Sequence, residues 1–192
     1  GDSEAPPDYR ALRSRVLYGS PAEADRILEE HRELTEGRRG ARLLHYAIIL
    51  GRPDAVKALL DAGTDPDAHA PGDGPALILA LSEGRFGIAR ALVRSGADIE
   101  AAGSFGTPPL LAAAGPNPYG SVLRWPHMAL AMPGEVDPAQ RRITRGPVSA
   151  RERTGMVKLL LERGADATSE DGPPQRDDTT VRWPATKRSD VV

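Results

Sequence analysis

The chain has 192 residues, with 25 Lys plus Arg against 27 Asp plus Glu, a formal net charge of −2 and no cysteine. That length suits one domain of ordinary size rather than two large ones. The balanced charge argues against a general polyanion binder, and the missing cysteines exclude disulfides, thiol catalysis and cysteine-ligated metal. Aromatic residues are 4% of the chain against 40% for all hydrophobic residues, so the core must come mainly from Ala, Leu, Val and Ile. Such side chains suit short helices packed closely together.

In chain order, residues 1–7 read as an N-terminal extension. It starts Gly1-Asp2-Ser3 without Met, as in a processed or trimmed chain, which leaves a removed signal peptide open. From residue 8 the pattern is helix, Gly-containing turn, helix, in units of about 8–39, 40–72, 73–105 and 106–168. Ser20-Pro21-Ala22-Glu23 opens one second helix, with a serine three residues before a glutamate and proline at the first helical position. Pro53 plays the same part after Arg52, and Ser149-Ala150-Arg151-Glu152 repeats the serine–glutamate start. Gly63, Gly96 and Gly164 supply the left-handed residue that stops a helix. Helices of about ten residues are marginal alone in water, so they depend on stacking against neighbours.

The fourth unit is interrupted. Its first helix lies at 109–114 and its second at about 149–163, leaving an insertion over 115–148. Trp125 lies there with Val122, Leu123, Met128, Leu130 and Met132, which predicts that 122–132 packs on the repeats and that 133–140 moves more. Residues 116–153 hold six Arg and three acids, making this the one segment that reads as locally basic. After Thr168 the repeat stops. The tail 169–192 is expected to cap the last unit, through Val181 and Trp183.

The repeat has a period of 33. Leu44 falls on Leu77 and Leu110, Ala47 on Ala80 and Ala113, and Leu59-Leu60 on Leu92-Val93. Met156 to Asp166 follows Ile88 to Asp98 at an offset of 68. The period, the endings Gly63-Thr64-Asp65, Gly96-Ala97-Asp98 and Gly164-Ala165-Asp166, and the worn signatures Arg42-Leu43-Leu44-His45-Tyr46-Ala47 and Pro108-Pro109-Leu110-Leu111-Ala112-Ala113 resemble the ankyrin repeat of bacterial type. The resemblance implies an all-α fold, a solenoid of stacked helix-turn-helix units with short hairpin loops. It also implies that His45 bonds to backbone, a structural role.

Chemistry finds little footing. His31, His45, His69 and His127 include no i, i+4 pair and no clustered carboxylates, so no metal site is expected. There is no G-x-S-x-G elbow, and neither Gly-rich piece, at 71–74 or 102–106, is followed by G-K-[ST]. The expectation is a non-enzyme without cofactors. No stretch approaches the ~20 apolar residues of a membrane span. Arg141, Arg142 and Arg145 near Trp125 read as a solvated face rather than a nucleic-acid surface.

What remains is binding. The resemblance places a protein partner on a concave face, at inner-helix positions Tyr46, Ile49, Leu50, Leu79, Ser82, Glu83 and Ala112. Ile49 and Leu50 serve equally as packing against the preceding unit. Hairpin tips are expected to carry Arg38, Arg39, His69, Asp73 and Phe105, the last either folded inward or meeting the partner. Trp125, Arg141 and Arg142 of the insertion complete the set. The chain is expected to be a monomer when free, with no nucleic acid or membrane partner. Its Ala-, Arg-, Gly- and Pro-rich composition suits a GC-rich bacterial genome, with cytoplasm or periplasm both open. The leading reading is a protein-interaction module, in its specific form an inhibitor or immunity protein of a partner enzyme. The alternative is a small-ligand or enzymatic site between the insertion and the repeats.

Overall fold

The computed structural model describes residues 8–69, 74–103, 106–115 and 148–167, together with the backbone of 175–176 and 181–182. Among these residues the chain forms α1 (Tyr9–Tyr18), α2 (Pro21–Glu30), a 3-10 turn (Arg32–Leu34), α3 (Gly37–Ile49), α4 (Pro53–Asp61), α5 (Ala76–Ser82), α6 (Phe86–Arg94), α7 (Pro109–Ala114) and α8 (Ala150–Glu162). Two-residue strands β1 (Gln175–Arg176) and β2 (Val181–Arg182) pair antiparallel in the tail. Trp183 and the side chain of Val181, expected to cap the stack, lie outside the described residues.

The helices stack in two layers. α1, α3, α5 and α7 pack in sequence as one layer, and α2, α4, α6 and α8 as the other, with each helix also set against its partner in the pair. The 33-residue register is the spine of this arrangement. Leu44 and Leu77 are fully buried, as are Ala47, Ala80 and Ala113, and the half-buried Leu110 packs against the same core. Leu59, Leu92 and Leu160 do the same work in the second layer, each without accessible surface. Alanine every unit keeps the inner helices close, and leucine fills the space between layers.

The starts and stops follow their local chemistry. Ser20 Oγ accepts the Glu23 amide at 3.2 Å, and Pro21 occupies the first turn of α2. Three helices of the second layer end alike. Gly63, Gly96 and Gly164 all have φ +94°, and each sits between a pair of backbone bonds returning to the last turn. Nothing would crowd a Cβ at these glycines, so the requirement is the left-handed backbone itself.

An arginine recurs in three of the four units, at Arg52, Arg85 and Arg153. Arg52 Nε donates to the Leu17 carbonyl at 2.9 Å while its guanidinium lies 5.7 Å from the Tyr18 ring centroid. The Arg85 guanidinium fills the space over Gly51 that a side chain there would take. Arg153 donates to the Gly115 carbonyl and lies 6.0 Å from the Phe86 ring. Arg52 and Arg153 thus cap carbonyls at the ends of α1 and α7, where the helix dipole favours a cation.

Candidate partner-binding face

The inner layer fixes what a partner could reach. His45, fully buried in α3, has Nε2 3.3 Å from the Ala68 carbonyl across the α4–α5 connection. It ties the following loop to the inner helix, the structural role the resemblance implied, and presents nothing to solvent. The loop beyond is held by carboxylates used as caps. Asp65 accepts the Asp67 amide at 2.9 Å, Asp67 the Asp98 amide at 2.8 Å, Asp98 the Glu100 amide at 2.8 Å and Glu100 the Asp166 amide at 2.9 Å. This chain of acceptors runs from loop to loop and binds successive units together. Among the described residues no group of three or more His, Asp or Glu could hold a metal ion.

The expected inner-face residues divide by accessibility. Ile49, Ser82 and Glu83 are half-buried and remain reachable. Tyr46, Leu50, Leu79 and Ala112 are buried, each below a tenth exposed, and belong to the hydrophobic core cluster. That corrects the reading of Tyr46, Leu79 and Ala112, which stand at the 33-residue spacing, as open anchors, and leaves Leu50 with the packing role that its position also allowed. Arg38 and Arg39 are also moved. The connection from Glu30 to Gly37 is taken up by the 3-10 turn, so both arginines lie in the first turn of α3 rather than on a hairpin tip. Arg38 is exposed and Arg39 half-buried, whereas His69 is exposed at its expected loop. Asp73, Phe105, Trp125, Arg141 and Arg142 lie outside the described residues.

A cluster missing from the sequence reading lies where α1 meets α3. The Arg13 guanidinium sits between two rings, 5.8 Å from the Tyr9 centroid and 5.7 Å from that of Tyr46. Burial pushes the Tyr9 phenol above its ordinary range, and the charges of Arg13, Arg42 and Arg39 pull the other way. Tyr46, read as a contact residue, thus forms one wall of an arginine–tyrosine stack. The available signal was that neither α1 nor α3 contains an acidic residue.

Two layers of antiparallel helix pairs in a repeating register define a helical-repeat protein, an architecture that stacks identical units to make an extended surface. Its class is set by comparison: the family model described as ankyrin repeats, three copies, matches residues 15–103, and that stretch of the chain is made of ankyrin repeats. The matched span ends before α7, so the α7–α8 pair lies beyond it. No curated protein matches the chain. Ankyrin repeats generally mediate protein–protein interaction, and the family is typically a non-enzymatic binding module. No helix among the described residues is long and apolar enough to cross a membrane.

Proposed function

We propose that the protein captures one protein partner along the inner-helix face, and that capture neutralises the partner's activity. The observation that carries this reading is the three-copy ankyrin match over 15–103, together with an inner layer in which Ile49, Ser82 and Glu83 stay accessible above a rigid, buried spine. Rigidity matters because a partner that meets a preformed surface pays little ordering entropy. A protein that acts in this way needs no reactive groups of its own, only a surface that covers those of its target. Arg38, Arg39 and His69 supply polar contacts at the edge of the face. The insertion, with Trp125, Arg141 and Arg142, and the loop residues Asp73 and Phe105 add specificity.

The test is affinity capture from the native host with the full chain, compared with an Ile49→Glu/Ser82→Arg variant of matched thermal stability. A protein retained by the parent chain and lost at least tenfold by the variant supports the reading. Equal retention by both, or nothing retained by either, contradicts it. If the captured protein is an enzyme, its activity should fall in stoichiometric titration with the parent chain, and an unchanged rate would remove the neutralising role.

A further inference from the structure

Corresponding positions of successive units are buried unequally, and the difference falls at one end of the stack. α7 packs on α5 and α8 on α6, so Leu77 in α5 and Ala89 and Val93 in α6 are closed off, each at most 1% exposed. Their counterparts in the last pair are Leu110, Val157 and Leu161, at offsets of 33 and 68. Leu110 and Val157 are only half-buried, and Leu161 is 45% exposed. Leu111, next to Leu110 in α7, is 38% exposed. Among the described residues Leu111 and Leu161 are the large hydrophobic side chains left exposed, and both belong to the α7–α8 pair. The α1–α2 pair at the other end of the stack leaves none.

Leu111 has counterparts of its own, His45 and Ile78, at the same 33-residue spacing. Each is covered by the loop that leaves the outer helix of its own pair. Ala68, beyond α4, meets His45 through its carbonyl at 3.3 Å. Gly103, beyond α6, lies so close to Ile78 that a Cβ there would come to 3.0 Å from its side chain. The chain leaves α8 on the same course, because Glu100 accepts the Asp166 amide as Asp67 accepts that of Asp98. The residues after Asp166 are thus launched towards Leu111.

The 25 residues after Ala167 are fewer than one 33-residue unit and repeat nothing of it, so they supply no fifth helix pair. Their reach is ample. From Ala167 to Trp183 the extended chain spans up to about 50 Å, against about 20 Å for the length of α8. They bring Val181 and Trp183. One aromatic ring buries about 150–250 Å², enough to roof side chains the size of Val157 and Leu161. The antiparallel pairing of β1 with β2 points the same way, since a two-stranded hairpin is marginal in water without an apolar surface to lie on.

We propose that the C-terminal tail, residues 168–192, folds back on the α7–α8 pair, crosses Leu111 and sets Trp183 over Val157 and Leu161. The open end of the stack is a docking site for this segment of the same chain. Tethering favours the tail over an occupant from solution, because it is held at high effective concentration beside the face. The end of the solenoid is thereby closed to a second copy. Partner capture is separate, since the inner-helix face carries it.

The test is hydrogen–deuterium exchange on the full chain, parent against Trp183→Ser, read in peptides that cover α8 and α4. Residue 183 lies outside every helix, so the substitution leaves the stack itself intact. Exchange in α8 is expected to rise about fivefold or more, with α4 unchanged. Unchanged exchange in α8 overturns the proposal. So does acceleration by Trp125→Ser in place of Trp183→Ser, which gives the face to the insertion. A second variant approaches from the helix side. Leu111→Asp/Leu161→Asp substitutes exposed positions, and in a Trp125→Phe background it should raise acrylamide quenching of Trp183 to the level of the urea-unfolded chain. Arg26→Asp/Arg94→Asp, on exposed positions of α2 and α6, should leave quenching at the parent's level. Quenching in the parent already at the unfolded level overturns the proposal. Concentration-dependent dimerisation of the parent that Leu161→Asp abolishes also overturns it, because a second copy then takes the face. Should the double variant fail to fold, the exchange comparison decides alone.

Discussion

The α3–α4 and α7–α8 pairs build the same structural unit from chains of very different connection. In the first, three residues separate Ile49 from Pro53, and the helix begins without any side-chain cap bond from Arg52. In the second, 35 residues separate Ala114 from Ala150, yet α7 and α8 pack as intimately as any pair in the molecule. Loop-closure entropy makes the longer connection costlier by about 2 kcal/mol. The returning helix carries a side-chain cap that α4 lacks. Ser149 and Glu152 form a complete capping box, with Ser149 Oγ accepting the Glu152 amide and the Glu152 carboxylate accepting the Ser149 amide. Arg153 reaches the Gly115 carbonyl, and Arg163 reaches the Val93 carbonyl of α6 at 3.3 Å. An interrupted repeat thus survives by fixing the entry and exit of its returning helix.

The comparison can be broken most forcefully in the second-layer leucines. Leu59→Ala in α4 and Leu160→Ala in α8 each empty a fully buried site and should cost about 2–5 kcal/mol. Leu59 lies within the stack, so its loss should lower the midpoint of a single cooperative urea transition. Leu160 lies in the last pair, so its loss should produce a separate early transition for α8. Coincident transitions in both variants would show that the terminal pair is no more weakly attached than the central one.

A smaller effect is expected at the cap. Ser149→Ala should cost about 1 kcal/mol, and Ser20→Ala somewhat less, because Glu23 turns to Arg15 instead of completing a box. The pH dependence follows from Glu152, whose carboxyl is held below its ordinary range by the Ser149 hydroxyl and then by the Ser149 backbone amide. A depressed carboxyl stabilises the folded chain above its unfolded pKa, and that contribution is lost as pH falls through the folded value. The Ser149→Ala variant should therefore lose less stability than the parent on acidification from pH 7 towards pH 3, measured by thermal melting.

The smallest change should have the opposite sign. Thr64 takes the place that Ala97 and Ala165 hold in the other units, all three buried, and its hydroxyl makes no hydrogen bond among the described residues. A buried, unsatisfied hydroxyl is costly, so Thr64→Ala should leave stability unchanged or raise it by up to about 1 kcal/mol. A loss greater than 1 kcal/mol would mean that the threonine methyl matters more to packing than its hydroxyl costs.

The fold was legible because its signals are local and repeated. Leu44, Leu77 and the alanines at 47, 80 and 113 announce the inner spine by register alone, and Ser20, Pro53 and Gly63 mark helix ends through chemistry within four residues. The face was less legible. Tyr46 and Leu79 occupy the expected register, but burial between units depends on how closely the inner helices approach, which no residue spacing encodes. Arg38 and Arg39 were misplaced because a 3-10 turn starts α3 earlier than a hairpin would allow. The arginine–tyrosine stack joins residues from two units, Tyr9 and Arg13 with Tyr46, and only the packing of α1 on α3 brings them together.

The docking of α8 on α7 across the interruption can be measured directly, because the chain has no cysteine to compete with introduced ones. Spin labels on Ala114→Cys and Arg151→Cys, both exposed positions, report the separation by pulsed electron paramagnetic resonance. A narrow, short distribution compatible with helix axes about 8–10 Å apart is expected. A broad distribution reaching several times that distance would contradict the reassembled repeat.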